Sequence, residues 1–93
     1  MNSYHEIFKI IYKRIRALLG RDAVISIFNE LNLIVSKSGK VSLIEPEGLT
    51  YEKLEELLLY LNRKIGPIAI LSFRIPVKRK AKRRKLKLPS VIA

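Results

Sequence analysis

A run of ten residues near the C-terminal end carries the side chains most able to do chemistry in this chain. Residues 78–87 read K-R-K-A-K-R-R-K-L-K, and eight of the ten are cationic. Residues 74–93 hold nine Lys or Arg and no acid, whereas residues 1–73 hold ten Lys or Arg against eight acids. Like charges at this density repel one another, so the pattern favours contact with a polyanion over a purely structural role.

The predicted nucleic-acid contacts are the cations in this run and one just before it. They are Arg74, Lys78, Arg79, Lys80, Lys82, Arg83, Arg84, Lys85 and Lys87. Cations that meet the phosphates of duplex DNA release counterions, so log K should fall against log salt with a slope of roughly −5 to −7 if most of the run engages. Such contacts position a protein on the backbone without reading bases. The sequence therefore predicts binding to DNA or structured RNA without sequence specificity.

Two further charged groups accompany the run. The polar face of the first predicted helix carries four cations that we interpret as an auxiliary basic patch: Lys9, Lys13, Arg14 and Arg16. The alternative interpretation is an ordinary solvated helix face. Five acids cluster within about a dozen residues of the middle of the chain: Glu45, Glu47, Glu52, Glu55 and Glu56. This acidic patch could dock a basic partner surface, or fold back on the basic run in a contact that salt would loosen.

No arrangement of residues in the sequence predicts catalysis. The chain has no Cys, and His5 is its only His, which excludes thiol chemistry and a multi-histidine metal site. It contains no phosphate-binding glycine motif and no nucleophile elbow. The clustered Glu residues already have a reason to lie near the positive end of a helix dipole. The sequence thus predicts a protein that is not an enzyme and uses no metal, cofactor or small-molecule substrate.

Length and composition set the class of protein. The 93 residues suit one small domain, and a hydrophobic fraction of 48% suffices for a core. The sequence lacks a secretory signal pattern and any apolar run long enough to span a membrane. We therefore expect a cytoplasmic protein associated with a nucleoid or ribosome. The absence of Gln, Cys and Trp resembles thermophile compositions.

Hydrophobic periodicity predicts a mainly α (α+β) fold, in which a helical hairpin and a short β-hairpin precede two further helices in a small single-domain bundle. The hairpin helices are predicted at 3–19 and 22–31, with Ser3 and Asp22 as caps and an apolar face on the first helix that includes Leu18 and Leu19. The β-hairpin spans 33–44 around Ser38-Gly39-Lys40. Thr50 is the expected cap of a helix over 50–65.

Residues 67–77 fit two structures. Gly66-Pro67 suits a helix start, which favours a helix over 67–74 that bends at Pro76. Strict alternation over 68–77 also fits an edge strand, which would give a three-stranded α+β domain. The basic run is expected to become helical only when its charge is neutralised. The sequence therefore divides into a globular domain, 1–77, and a basic C-terminal extension, 78–93.

Three functions fit these features. The first is a non-catalytic accessory protein of a nucleic-acid-processing complex, with a body that binds a larger protein partner. The second is an independent chromatin-like or regulatory DNA- or RNA-binding protein, although helix 22–31 offers little beyond Asn29 for reading bases. The third, peripheral binding to anionic membranes, is the least favoured.

Overall fold

A computed structural model describes residues 4–36, 41–43 and 49–92 of the chain. Its elements follow in the order α1 (Tyr4–Leu19), α2 (Arg21–Glu30), β1 (Leu33–Val35), β2 (Val41–Leu43), α3 (Tyr51–Lys64) and α4 (Pro67–Arg84). The two strands pair antiparallel, with Leu33 opposite Leu43. The predicted mainly α bundle is confirmed. The predicted cap Ser3 and the turn at Ser38-Gly39-Lys40 lie outside the described residues.

Helix α1 buries one apolar stripe at the spacing that the sequence predicts. The stripe consists of Ile7, Phe8, Ile11, Tyr12 and Ile15. The prediction was wrong for Leu18 and Leu19, which are 42% and 39% exposed. They lie in the last turn of α1, where Gly20 at φ 94° reverses the chain and leaves this end beyond the packed part of the helix.

Helix α2 folds back on α1 through its own short apolar face. The buried residues of this face are Val24, Ile27 and Phe28. The rings of Phe28 and Tyr12 pack edge to face, with their centroids 5.7 Å apart. The predicted cap was wrong: Gly20 is the N-cap, no side chain caps the helix, and Asp22 lies in the first turn. The negative charge of its carboxylate still interacts favourably there with the positive end of the helix dipole.

Helix α3 agrees with its sequence prediction in start, end and buried face. The Thr50 hydroxyl accepts a hydrogen bond from the Lys53 backbone N–H at 3.2 Å, so Thr50 is the cap. The side chains that face the core recur at three- and four-residue intervals: Leu54, Leu57, Leu58 and Leu61. Arg63 and Lys64 lie in the last turn, where their positive charges interact favourably with the negative end of the helix dipole.

Helix α4 corrects two predictions about the C-terminal part of the chain. Residues 68–77 are not an edge strand, and the helix does not end at residue 74 but continues through Pro76 to Arg84. Gly66 and Pro67 begin it as expected. Its buried residues include Ala69, Phe73, Val77 and Ala81, which recur every four residues and so form a stripe on one side of a helix. Burial of this stripe, together with the extensive packing of α4 against α1, offsets the hydrogen bond that Pro76 removes.

The chain after α4 returns to the same core. Lys85 adopts a left-handed conformation at φ 57°, and the Leu86 N–H donates to the Ala81 carbonyl at 2.8 Å, which closes the helix end. Leu88 and Val91 then pack against the core, and Ile92 is buried. Residues 78–92 therefore share one core with the earlier helices in this structure.

Candidate nucleic-acid interface

The outer side of α4 presents the cations of the basic run as a helical face. Because residues 69, 73, 77 and 81 point into the core, the side chains at 78, 79, 82 and 83 fall on the opposite side. Four exposed cations lie there in two pairs one helical turn apart: Lys78 with Arg79, and Lys82 with Arg83. Lys85 and Lys87 are exposed just beyond the helix, and Arg74 one turn before the run.

The helical state of the run has a local cause despite its charge. Lys82, Arg83 and Arg84 occupy the last turn of α4, where the backbone carbonyls carry partial negative charge. Burial of Val77 and Ala81 holds the same turns against the core. The expectation that the run needs neutralisation by a polyanion to become helical was therefore wrong, because packing and the helix dipole oppose the repulsion.

One acid neutralises part of the run. The Arg84 guanidinium donates a hydrogen bond from Nη2 to Glu6 Oε1 at 3.0 Å, and its Nε lies 2.8 Å from Oε2 in the same ion pair. The Lys80 ammonium lies 4.0 Å from Oε2. The Arg84 hydrogen bond is the main reason that the pKa of the Glu6 carboxyl falls below its ordinary value, with the nearby charges of Arg84, Lys80 and Arg83 acting in the same direction.

A second contact joins the start of α1 to the segment after α4. The Tyr4 hydroxyl donates a hydrogen bond to the Lys87 carbonyl at 2.9 Å. Burial is the main cause that raises the pKa of the Tyr4 phenol, so this hydroxyl keeps its proton. With the Glu6–Arg84 pair, this bond fixes the C-terminal end of the basic run to the N-terminal end of the chain.

Six of the eight cations in the run remain without an acid in the described parts of the chain. Lys80 and Arg84 contact Glu6, whereas no ion pair forms at Lys78, Arg79, Lys82, Arg83, Lys85 or Lys87. We call these six residues the open cations, because no acid competes with phosphate for them within the described residues. Arg79 and Arg83 among them offer the planar fork that binds phosphate in a bidentate manner.

The predicted auxiliary basic patch lies on a neighbouring helix. Lys9, Lys13, Arg14 and Arg16 are all exposed on α1. Helix α1 makes its most extensive helix–helix contact with α4. The two run antiparallel, because Glu6 near the start of α1 meets Arg84 at the end of α4. The structure thus places the two predicted basic groups on adjacent helices.

The predicted acidic patch does not fold back on the basic run within the described residues. Glu52, Glu55 and Glu56 lie on α3, and Glu56 pairs with Lys53 at 3.4 Å. Glu45 and Glu47 lie outside the described residues. The acid that meets the run is Glu6, whose position three residues after Ser3 in the sequence suggests only a helix cap. Glu6 is the one acid of α1, but nothing local indicates that α1 packs along α4.

The described residues contain no group of three or more His, Cys, Asp or Glu that could hold a metal ion. Among the helices described, none combines the length and apolar character needed to cross a bilayer. A groove of about 480 Å³ lies where α3 passes into α4 and is lined by Asn62, Pro67, Ile70, Leu71, Arg74 and Val91. No family model, curated protein or solved structure matches this chain.

Proposed function

We propose that this protein is a non-catalytic accessory protein of a nucleic-acid-processing complex, such as a DNA polymerase or replication accessory subunit or a ribosome-associated protein. Its helical body binds a protein partner, and its basic run binds the phosphate backbone without sequence specificity. It acts in the cytoplasm, at the nucleoid or ribosome. The observation that carries this proposal is the set of six open cations at the C-terminal end of a packed helix and in the segment just after it.

The charge pattern supports backbone binding over base reading. Four of the open cations are spaced along the outer face of α4, and α4 is held to the body by its buried stripe. A fixed row of Lys and Arg suits the repeating phosphates of a duplex, which carry no sequence information. The exposed side of α2 offers Arg21, Ser26 and Asn29 as its donors, too few for a recognition helix.

The size of the charged face supports an accessory role. A backbone contact of this kind gives dissociation constants of about 10⁻⁴ to 10⁻⁶ M at physiological salt. A protein that binds this weakly alone contributes most when a partner holds it near the nucleic acid, since two linked contacts raise the effective concentration. The function therefore predicts a modest standalone affinity and a large effect on the partner's affinity for nucleic acid.

A binding experiment tests the first half of the proposal. Fluorescence anisotropy would measure affinity for two duplex DNAs and two RNA hairpins of unrelated sequence, with a variant in which all six open cations are Gln. We expect equal binding across sequences and its near-complete loss in the variant. The matched comparison changes three cations to Gln in each of two further variants: the open cations Lys78, Arg79 and Arg83 in one, and Lys64, Arg21 and Arg63, which are exposed outside both basic groups, in the other. Equal loss in these two variants would show that total charge, not the α4 face, carries the binding.

Co-purification with and without nuclease tests the second half. A protein partner that remains after nuclease treatment, and that the six-Gln variant also retains, supports the accessory role. If every partner disappears with nuclease, the protein is an independent DNA- or RNA-binding protein instead. Binding to anionic vesicles with no binding to nucleic acid would replace both interpretations with a peripheral membrane protein.

A further inference from the structure

The outer side of α4 also carries an apolar stripe that its own fold leaves uncovered. Ile68, Leu71 and Ile75 are 61%, 63% and 67% exposed, and their spacing of three and four residues places them on one side of the helix. Leu59 on α3 is 51% exposed. Single exposed apolar residues are ordinary, but a contiguous group marks a surface that binds something.

A groove where the two helices join connects Leu71 of the α4 stripe with the surface of α3 near Leu59. Asn62 at the end of α3 and Leu71 in α4 line the same groove where the two helices join. Leu59 precedes Asn62 by three residues, so it lies close to Asn62 on the surface of α3. The outer faces of α3 and α4 therefore open toward one side, and a single partner can cover both.

Charged residues flank the apolar centre with opposite signs on the two helices. On α3, the exposed acids Glu56 and Glu52 precede Leu59 by three and seven residues. Counting forward from Ile75, exposed cations stand three and seven residues away, at Lys78 and Lys82. Both series correspond to about 4.5 and 10.5 Å along a helix axis. An α3 laid antiparallel on an α4 would thus match Leu59 with Ile75, Glu56 with Lys78 and Glu52 with Lys82.

We infer that this surface binds a second copy of the chain, with α3 of each copy antiparallel to α4 of the other. A two-fold dimer needs a patch that complements itself, because the same surface meets its own copy. An apolar centre with acids on one flank and cations on the other meets that requirement, and each ion pair then forms twice. The inference does not require the proposed function, but Lys78 and Lys82 are also open cations, so the dimer and nucleic acid would compete for them.

The acids on α3 decide between a second copy and a lipid surface. An anionic bilayer would attract Lys78 and Lys82, but it would repel Glu52 and Glu56 on the same side of the molecule. A second copy places each acid opposite a cation. The net charge of +11 on each copy opposes association, so we expect a dimer that forms with rising protein concentration.

Charge reversal in trans tests the dimer. Sedimentation velocity over a range of concentrations would be measured for the wild type, for Glu56→Lys, for Lys78→Glu and for an equal mixture of the two variants. Each variant alone places like charges at both 56–78 contacts of its homodimer. In the mixed dimer, one 56–78 contact joins the two changed positions, whose charges are now opposite, and the other joins the native Glu56 and Lys78. Both contacts therefore become attractive again.

The expected result is a concentration-dependent dimer for the wild type, dimerisation weakened roughly tenfold or more in each variant alone, and recovery in the mixture. The double change Leu71→Ser and Ile75→Ser should also abolish the dimer, with an unchanged helical circular dichroism spectrum. The matched control pair Asp22→Lys and Lys13→Glu, on α2 and α1, should dimerise like the wild type, separately and mixed.

A wild type that stays monomeric at all concentrations would overturn the inference, and so would variants whose mixture fails to recover. A monomeric wild type that binds anionic vesicles through Leu71 and Ile75 would assign the stripe to a lipid surface. Dimerisation that the serine changes leave intact would place the interface elsewhere on the molecule.

Discussion

The Arg84 side chain binds the Glu6 carboxylate across 78 positions of sequence, with Arg84 Nε 2.8 Å from Glu6 Oε2. This contact joins the last turn of α4 to the first turn of α1. Both side chains are about half exposed, so the pair adds little to the free energy of folding. Its main effect is electrostatic: it withdraws Arg84, and Lys80 beside it, from the charges that can meet a polyanion.

Replacing Glu6 with Gln should strengthen nucleic-acid binding. The change leaves Lys80 and Arg84 without their acid, so about two more counterions are released on binding and the salt slope steepens by about 2. We expect affinity for duplex DNA to rise about threefold to tenfold at low salt. Anisotropy titrations at several salt concentrations measure both quantities.

The control for this prediction is Asp22→Asn, which removes one exposed acid of α2 and changes net charge equally. If Asp22→Asn raises affinity as much as Glu6→Gln, net charge is the cause and the pairing of Glu6 with the run is irrelevant to binding.

The same pair predicts a pH dependence of stability. The pKa of Glu6 is lower in the folded chain than in the unfolded chain, chiefly because Arg84 donates a hydrogen bond to the carboxylate. The stability that Glu6 contributes is therefore present above the ordinary carboxyl pKa and is lost as the pH falls through the lowered value. Thermal midpoints measured from neutral to acid pH should fall less for Glu6→Gln than for the wild type. Parallel curves would contradict the assignment.

Replacing Pro76 with Ala should stabilise the protein if α4 is one continuous helix. Pro in a helix interior costs about 3 kcal/mol relative to Ala, and about 1 kcal/mol of this is offset because Pro also restricts the unfolded chain. We expect the free energy of unfolding to rise by about 1–2 kcal/mol in urea denaturation. Arg79→Ala, at an exposed position of the same helix outside the proposed dimer contacts, is the control and should have little effect. No gain from Pro76→Ala would indicate that residues 78–84 do not continue the helix.

Lys85→Gly should also stabilise the fold, because Lys85 closes α4 with a left-handed backbone at φ 57°. For a residue with a Cβ this conformation costs about 1 kcal/mol, and for Gly it does not. The control Lys85→Gln removes the same charge but keeps the Cβ. The Gly variant should exceed the Gln variant by about 1 kcal/mol in unfolding free energy, while both lose the same affinity for DNA. Equal stabilities would mean that this helix end is not left-handed.

The sequence predicts α3 well because its signals are local. Thr50 caps the helix by accepting a hydrogen bond from the backbone N–H of Lys53, three residues later. Four Leu at helical spacing form the buried face of α3. Such signals depend on residues within one or two turns of each other. The end of α1 shows the limit of this reasoning, since Leu18 and Leu19 continue the apolar pattern but remain substantially exposed.

The extent of α4 could not be read from the sequence because its deciding contacts are long-range. Alternation and helical spacing both fit residues 68–77, and Pro76 argues locally for a break. Burial of Val77 and Ala81, together with the packing of α4 against α1, settles the choice for helix. Recognising Glu6 as the acid beside the basic run needs the same information, namely that the first and last helices lie antiparallel.

The salt dependence of DNA binding tests the central claim most directly. Measured at dilutions where the chain is monomeric, log K for duplex DNA against log salt should have a slope of about −5, the value for six phosphates met by the open cations. The variant with Gln at those six positions should reduce the slope to near zero. A slope that this variant leaves unchanged, or a wild type that fails to bind DNA or RNA at low salt, would contradict the account.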